Sequence, residues 1–164
     1  DVKAIINFSN KYKIKPALLN AVEEINQQQL ENIINTISKK IGKINNKKIT
    51  ILGLAFKADT DDVRDSISIK LIKLLIKKGA KIIAHDAKAI SNTKIVLGEK
   101  IQYTDSIKNA LKNSECAIIM TTSNEYSKIR SNELKLMKKR IIIDSRRLLA
   151  DHNLDIDYSA IGMG

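Results

Sequence analysis

Four short apolar runs, nearly free of charge inside, constrain this 164-residue chain more than any other feature. They are Ile49-Thr50-Ile51-Leu52-Gly53-Leu54, Lys81-Ile82-Ile83-Ala84-His85, Cys116-Ala117-Ile118-Ile119-Met120 and Arg140-Ile141-Ile142-Ile143-Asp144. A strand with one wet face alternates apolar and polar residues, whereas an uninterrupted run marks a strand covered on both faces. Helical periods lie between the runs. Ile67, Leu71, Leu74 and Leu75 share one face of a segment from Ser66 to Lys78, which Gly79 ends. A polar loop and a short Ile101-Gln102-Tyr103 strand follow the second run, and a helix is expected from Asp105 to Asn113. Repeated β-α-β units of this length predict an α/β fold, a parallel sheet with helices on both faces.

Residues 1–46 follow a different rule. A short amphipathic segment from Val2 to about Tyr12 precedes Lys15-Pro16, and proline suits a first helical turn because its missing N–H costs nothing there. Leu18, Val22, Ile25, Gln29, Ile33, Ile37 and Ile41 then recur at steps of three or four, with Gly42 at the capping position. Such a helix is about 25 residues, nearly 40 Å, long. A small core cannot cover it, so it is expected to pack on another copy of the chain, as a homodimer, or on a further domain. The division expected is a helical segment over residues 1–46 and an α/β domain over 47–164.

The net charge of +11 raises a nucleic-acid-binding or regulatory module as a rival reading. Nine basic and four acidic residues fall in positions 1–48, leaving 20 and 14 for the remainder, so the excess is spread over the chain. With aromatics at 4%, stacking platforms for single strands are scarce. The expectation is therefore no nucleic-acid partner. Charges interrupt every apolar run before 18 residues, so no membrane span is expected. A single cysteine excludes an intrachain disulfide and fits a reducing cytoplasm. Cys116 lies among Ala117, Ile118 and Ile119 and reads as a packing residue. Two histidines and one buried cysteine give no metal-ligand spacing. His152 reads as a surface residue.

In parallel sheets ligands bind beyond the carboxyl ends of the strands. The first such turn, Gly53-Leu54-Ala55-Phe56-Lys57-Ala58-Asp59-Thr60-Asp61-Asp62-Val63-Arg64-Asp65-Ser66, contains one glycine where a dinucleotide cradle would carry three. It offers instead a point-charge donor, Lys57, and a bidentate one, Arg64. By residue type, phosphate binding and a solvated charged loop are equally good readings. His85-Asp86 ends the second strand, the usual seat of a ribose-binding carboxylate, and without the glycine loop it reads as a polar strand end. At the end of the third run, Ser123 or Asn124 could cap a helix.

The 53–66 stretch closely resembles the signature of the UDP-glucose/GDP-mannose dehydrogenase family, and the resemblance runs through the chain. Ala21–Gln29 is similar to the family's helix with a Val-x-x-x-Asn-x-x-Gln pattern, Ile143–Leu149 to its Asp-Gly-Arg-Asn segment, Thr121–Tyr126 to its Thr-x-x-x-x-Phe/Tyr stretch, and Ile161-Gly162 to its closing pair. Asp1 looks like the aspartate that closes the motif of the catalytic cysteine. The chain is then expected to be a C-terminal piece that starts just after that cysteine.

The resemblance implies a Rossmann-like domain that binds a UDP-sugar, in an enzyme that oxidises a sugar alcohol to a carboxylate with NAD. NAD would be held mainly by a domain outside this chain, and the piece alone would be inactive. By position, Phe56, Lys57 and Arg146 would bind substrate, Arg64 would reach NAD, and Asp1 would be catalytic. Asp144-Ser145-Arg146-Arg147 favours UDP-glucose over GDP-mannose or a UDP-N-acetylhexosamine. Two residues depart from the family pattern. Ser145 replaces a common glycine, which questions a glycine-dependent backbone angle there, and Ala87 replaces a proline at a cost only in turn rigidity.

Overall fold

The computed structural model of the chain describes residues 2–161. Helix α1 (Val2–Lys11) turns into the 25-residue α2 (Ala17–Ile41), with Pro16 before its first turn and Gly42 closing it at φ +76°. Then come β1 (Lys48–Leu52), α3 (Ile67–Lys77), β2 (Lys81–His85), α4 (Ile90–Leu97), β3 (Gln102–Thr104), α5 (Ile107–Leu111), β4 (Cys116–Ile119), α6 (Asn124–Ser127), α7 (Ser131–Leu134), β5 (Ile141–Asp144) and β6 (Asp157–Ala160). All strand pairs are parallel, in the order β3-β2-β1-β4-β5-β6. This is the doubly wound order of a Rossmann-like sheet, whose strand order reverses between β1 and β4.

The apolar runs split by the period of two that strands impose. Ile49 and Ile51, Cys116 and Ile118, and Ile141 and Ile143 face the core beneath α2, α3 and α4. Leu52, Ala117, Ile119 and Ile142 face the other, beneath α5, α6 and α7. Thr50 is a polar residue on that second face, and its hydroxyl donates to the Ala110 carbonyl at 2.6 Å. The cluster beneath α2 also takes in that helix's Leu30, Ile33, Ile34, Ile37 and Ile41. At about 1.5–3 kcal/mol per buried aliphatic side chain, this half of α2 is held firmly to the sheet. Its other half is not covered: Leu18 is 78% and Ile25 54% exposed, beside exposed Phe8, Tyr12 and Ile14.

Several expectations need correction. The polar loop after β2 is largely a helix, α4, missed because Ile95 (84% exposed) and Val96 point outward while Thr93 is buried. Strand β6 was not expected either: Asp157-Tyr158-Ser159-Ala160 is an edge strand, only partly buried, with β5 as its one neighbour among the described residues. The helix expected over 105–113 keeps only Ile107–Leu111, where the Ser106 hydroxyl caps the Asn109 N–H. Asn113, with φ +60°, is left-handed and cannot continue it.

Candidate functional site

Gly53 ends β1 with φ +97°, and a Cβ there would lie 2.3 Å from the Thr121 hydroxyl oxygen. Only glycine lets the turns after β1 and β4 approach so closely. The N–H groups that follow are all engaged internally. Gly53 donates to the His85 carbonyl at 2.9 Å and Phe56 to the Asp62 carbonyl at 2.7 Å. Leu54 and Ala55 donate to Asp86 Oδ2 at 2.7 and 3.2 Å. The Ser66 hydroxyl ties the far end of the loop to the Leu54 carbonyl at 2.6 Å. Between these anchors the loop swings outward, leaving Phe56 half-exposed and Lys57 in solvent. The Thr60 hydroxyl donates to the Lys57 carbonyl, and Lys88 and Asn92 hold the carbonyls of Asp59 and Asp61.

Arg64 is less available than its type suggested. Its guanidinium grips Asp62 through Nε and Nη2 at 2.8–3.2 Å, and these hydrogen bonds hold the Asp62 carboxyl down at about 2. The pair lies at the rim of a 700 Å³ cleft with Phe56, Asn7, Asn26 and Gln27, between the loop and the α1–α2 helices. Neither Lys57 nor Arg146 lines this cleft.

Arg146 sits on the far side of the strand-order reversal. Its Nε donates to the Met120 carbonyl, just beyond β4, at 2.8 Å, and its backbone N–H donates to Asp144 Oδ1 at 2.9 Å. Asp144 is fully buried and also accepts from the Leu149 N–H at 2.9 Å and the Tyr158 hydroxyl at 3.2 Å. Burial, with Asp144 beside it, pushes the Tyr158 phenol up to about 12. Ser145 needs no glycine angle: the left-handed residue is Arg147, at φ +58°, and the Ser145 hydroxyl donates to the Ile119 carbonyl at 2.7 Å. The carboxyl edge thus carries Lys57 on the β1 loop and Arg146 on the β5 loop, with β4 between those strands. Among the described residues, no carboxylate lies in ion-pair distance of either.

His85, Asp86 and Ser123 are each engaged within the fold, as a polar strand end and a turn would have them. His85 is buried, 3.0 Å from the Tyr126 hydroxyl through Nδ1 and 3.2 Å from the Asp105 carbonyl through Nε2. Asp86 turns inward to the β1 loop rather than out to a ribose. Ser123 precedes α6 but makes no cap; its hydroxyl donates to Glu125. Cys116 is the packing residue expected, its thiol pushed up to about 12 by burial. No metal-ligating cluster occurs among the described residues. Asp1 and Gly162 lie outside the described residues. Sequence reasoning missed Asp86 as a loop anchor; the signal available was a strand-end carboxylate opposite a turn rich in N–H donors and poor in glycine.

Strand order and the cationic carboxyl edge are those of the doubly wound nucleotide-binding class. Residues 50–151 match the model of the UDP-glucose/GDP-mannose dehydrogenase family, UDP binding domain, and the chain belongs to that family. It is 32% identical over 161 residues to a UDP-glucose 6-dehydrogenase of Haloferax volcanii, covering 98% of this chain and 36% of that protein. With a UDP-glucose 6-dehydrogenase of Rickettsia conorii it shares 33% over 168 residues, 99% of this chain and 39% of the relative. The structure of a UDP-glucose dehydrogenase from Pyrobaculum islandicum superposes with a TM-score of 0.84 at 26% identity, over 96% of this chain and 35% of that one. The chain therefore spans little more than a third of the length of each of these three proteins. No helix among the described residues is long and apolar enough to cross a membrane.

Proposed function

We propose that the chain is the nucleotide-sugar-binding part of an NAD-dependent dehydrogenase that oxidises UDP-glucose to UDP-glucuronate. The observation that carries this reading is the pair of cations at the carboxyl edge, Lys57 and Arg146, neither in ion-pair distance of a carboxylate among the described residues. A UDP-sugar brings a diphosphate, which an ammonium and a guanidinium recognise by charge-assisted hydrogen bonds. Half-exposed Phe56, at the mouth of the neighbouring cleft, would pack against the sugar or base. GDP-mannose or a UDP-N-acetylhexosamine is the alternative substrate.

NAD, which would accept the hydrides, does not fit this chain's own first turn, where the N–H groups of residues 53–56 already have internal acceptors. Its place is proposed on the portion of the relatives' length that this chain does not span. Arg64, once released from Asp62, would reach it across the cleft, and Asp1 would stand beside the reacting carbon. The chain alone would bind without turnover, in the cytoplasm.

The exposed apolar side chains of α1 and the first half of α2 support a homodimer through residues 1–46, with 47–164 as the sugar-nucleotide domain. Calorimetry tests the central reading. UDP-glucose should bind, UDP should compete, and GDP-mannose should bind more weakly. No heat with millimolar UDP-glucose would overturn the reading, as would polynucleotide binding with a steep salt dependence that UDP cannot displace.

A further inference from the structure

In a dinucleotide-binding sheet the N–H groups of the first strand-to-helix turn go to a pyrophosphate, and a carboxylate at the end of the second strand goes to a ribose. Here the second group has been turned onto the first. Asp86, 8% exposed, directs Oδ2 to the N–H groups of Leu54 and Ala55 at 2.7 and 3.2 Å. Its Oδ1 takes those of Lys88 and Ala89, both at 2.9 Å. No basic side chain among the described residues forms an ion pair with it. With Gly53 bonded to His85 and Phe56 to Asp62, every N–H from residue 53 to 56 is committed. The last two held by Asp86 stand immediately before Phe56-Lys57, where the chain leaves the core.

We infer that Asp86 is an internal anion for the β1 turn: it closes the dinucleotide cradle and, as a positioning residue, aims Phe56 and Lys57 at the ligand. A carboxylate suits this task because it accepts four hydrogen bonds and donates none. The second half of the inference rests on the proposed binding of a UDP-sugar by Lys57. The first half stands on the hydrogen bonds alone.

Asp86→Asn separates this role from plain structural support. An amide oxygen can serve only one of the two N–H pairs. The pair two and three residues on, Lys88 and Ala89, is the local Asx-type partner and should keep it. The amide nitrogen then confronts Leu54 and Ala55, donor against donor. Hydrogen exchange should show lost protection at Leu54 and Ala55 with little change at Ile51 or Ile118, and UDP-glucose affinity should fall about tenfold. In Asp86→Ala, added acetate should enter the vacated seat, restoring protection at those two amides and part of the affinity, while leaving the wild type unchanged. A side chain that only supported the fold would show no such rescue.

If the wild type binds UDP-glucose and Asp86→Asn binds equally well with unchanged exchange, the inference is overturned. If the wild type does not bind, the functional reading fails, and exchange with its acetate rescue still decides whether Asp86 is the turn's anion. Should Asp86→Ala not fold, the exchange and affinity of Asp86→Asn carry the same decision.

Discussion

At the amino edge of the sheet Glu115, 5% exposed, is met by the ammonium groups of Lys138 at 3.0 Å and Lys47 at 3.3 Å, with Lys139 at 3.9 Å. At the carboxyl edge Asp86 and Asp144 are buried too, but their hydrogen-bond donors are backbone N–H groups and one tyrosine hydroxyl. The first arrangement consumes cations. The second leaves them, because a carboxylate satisfied by uncharged donors makes no claim on a nearby lysine or arginine. A sheet that must hold an anionic ligand at one edge is thus helped by the way it buries its own acids there. The lysine-rich groove of 720 Å³ formed by Lys48, Lys81, Lys94, Lys100 and Tyr103 lies at the amino ends of the strands, away from the edge where such folds take ligands.

The largest effect should come from removing the cations at the carboxyl edge. Lys57→Ala and Arg146→Ala should each weaken UDP-glucose binding by about 1.5–3 kcal/mol, roughly tenfold to a hundredfold. Calorimetry checks this, and melting temperatures should change little because neither side chain is in the core. Arg146 also holds the Met120 carbonyl. Its replacement by lysine should therefore not restore full affinity, since lysine lacks the planar fork that serves two partners at once. Wild-type binding in both alanine variants would break the contrast between the edges.

At the amino edge the expected consequence is stability, not binding. Burial alone would raise the Glu115 carboxyl, but the hydrogen bonds from Lys138 and Lys47 outweigh it and hold the group below its usual range. A carboxyl lowered in the folded state stabilises that state above its unfolded value, near 4.5, and the contribution is lost as pH falls through the lower folded value. Glu115→Gln should therefore cost about 1–2 kcal/mol near neutral pH, an amount kept small by the solvent around the lysines. The gap between variant and wild type in denaturant melts should narrow in acid. A gap independent of pH would mean that packing, not charge, is what Glu115 supplies.

Legibility in the sequence followed burial. β1, β2, β4 and β5 could be read because each is covered on both faces and so spells an unbroken apolar run. β6 has one neighbour among the described residues and a half-wet face, and α4 shows aliphatic residues to water, so neither carries the period that marks its type. Within the candidate site, Lys57, Arg64 and Arg146 were visible as residue types in a turn. Two facts were hidden because they depend on strand register. The pairing of Leu52 with His85 brings Asp86 beneath the β1 turn, and the pairing of Ile119 with Asp144 brings Arg146 over the end of β4. The grip of Asp62 on Arg64 spans two residues only, but it needs the loop's turn to form.

That grip leads to the smallest expected effect. Arg64 and Lys57 belong to one loop, and by residue type both were offered to an anion, the lysine as a point charge and the arginine as a bidentate donor. In the fold Lys57 points to solvent without an ion-pair partner among the described residues, whereas Arg64 is already bonded to Asp62 by two of its nitrogens. A ligand phosphate reaching Arg64 would have to displace a carboxylate held in good geometry, so the net gain is small even though the bare interaction is strong. Because the pair stands in water, it also contributes little to the fold. Arg64→Ala should leave UDP-glucose affinity within about twofold and the melting temperature nearly unchanged, since water screens a fully exposed pair. Asp62→Asn sharpens the comparison: it loosens the guanidinium without removing it, and Arg64 would then add to the anion affinity of the loop. A measured gain in UDP-glucose affinity in Asp62→Asn that vanishes in the double variant Asp62→Asn, Arg64→Ala would confirm that the carboxylate masks the arginine. A tenfold loss in Arg64→Ala alone would instead place the guanidinium on the sugar nucleotide, and the role proposed for it toward NAD would be wrong.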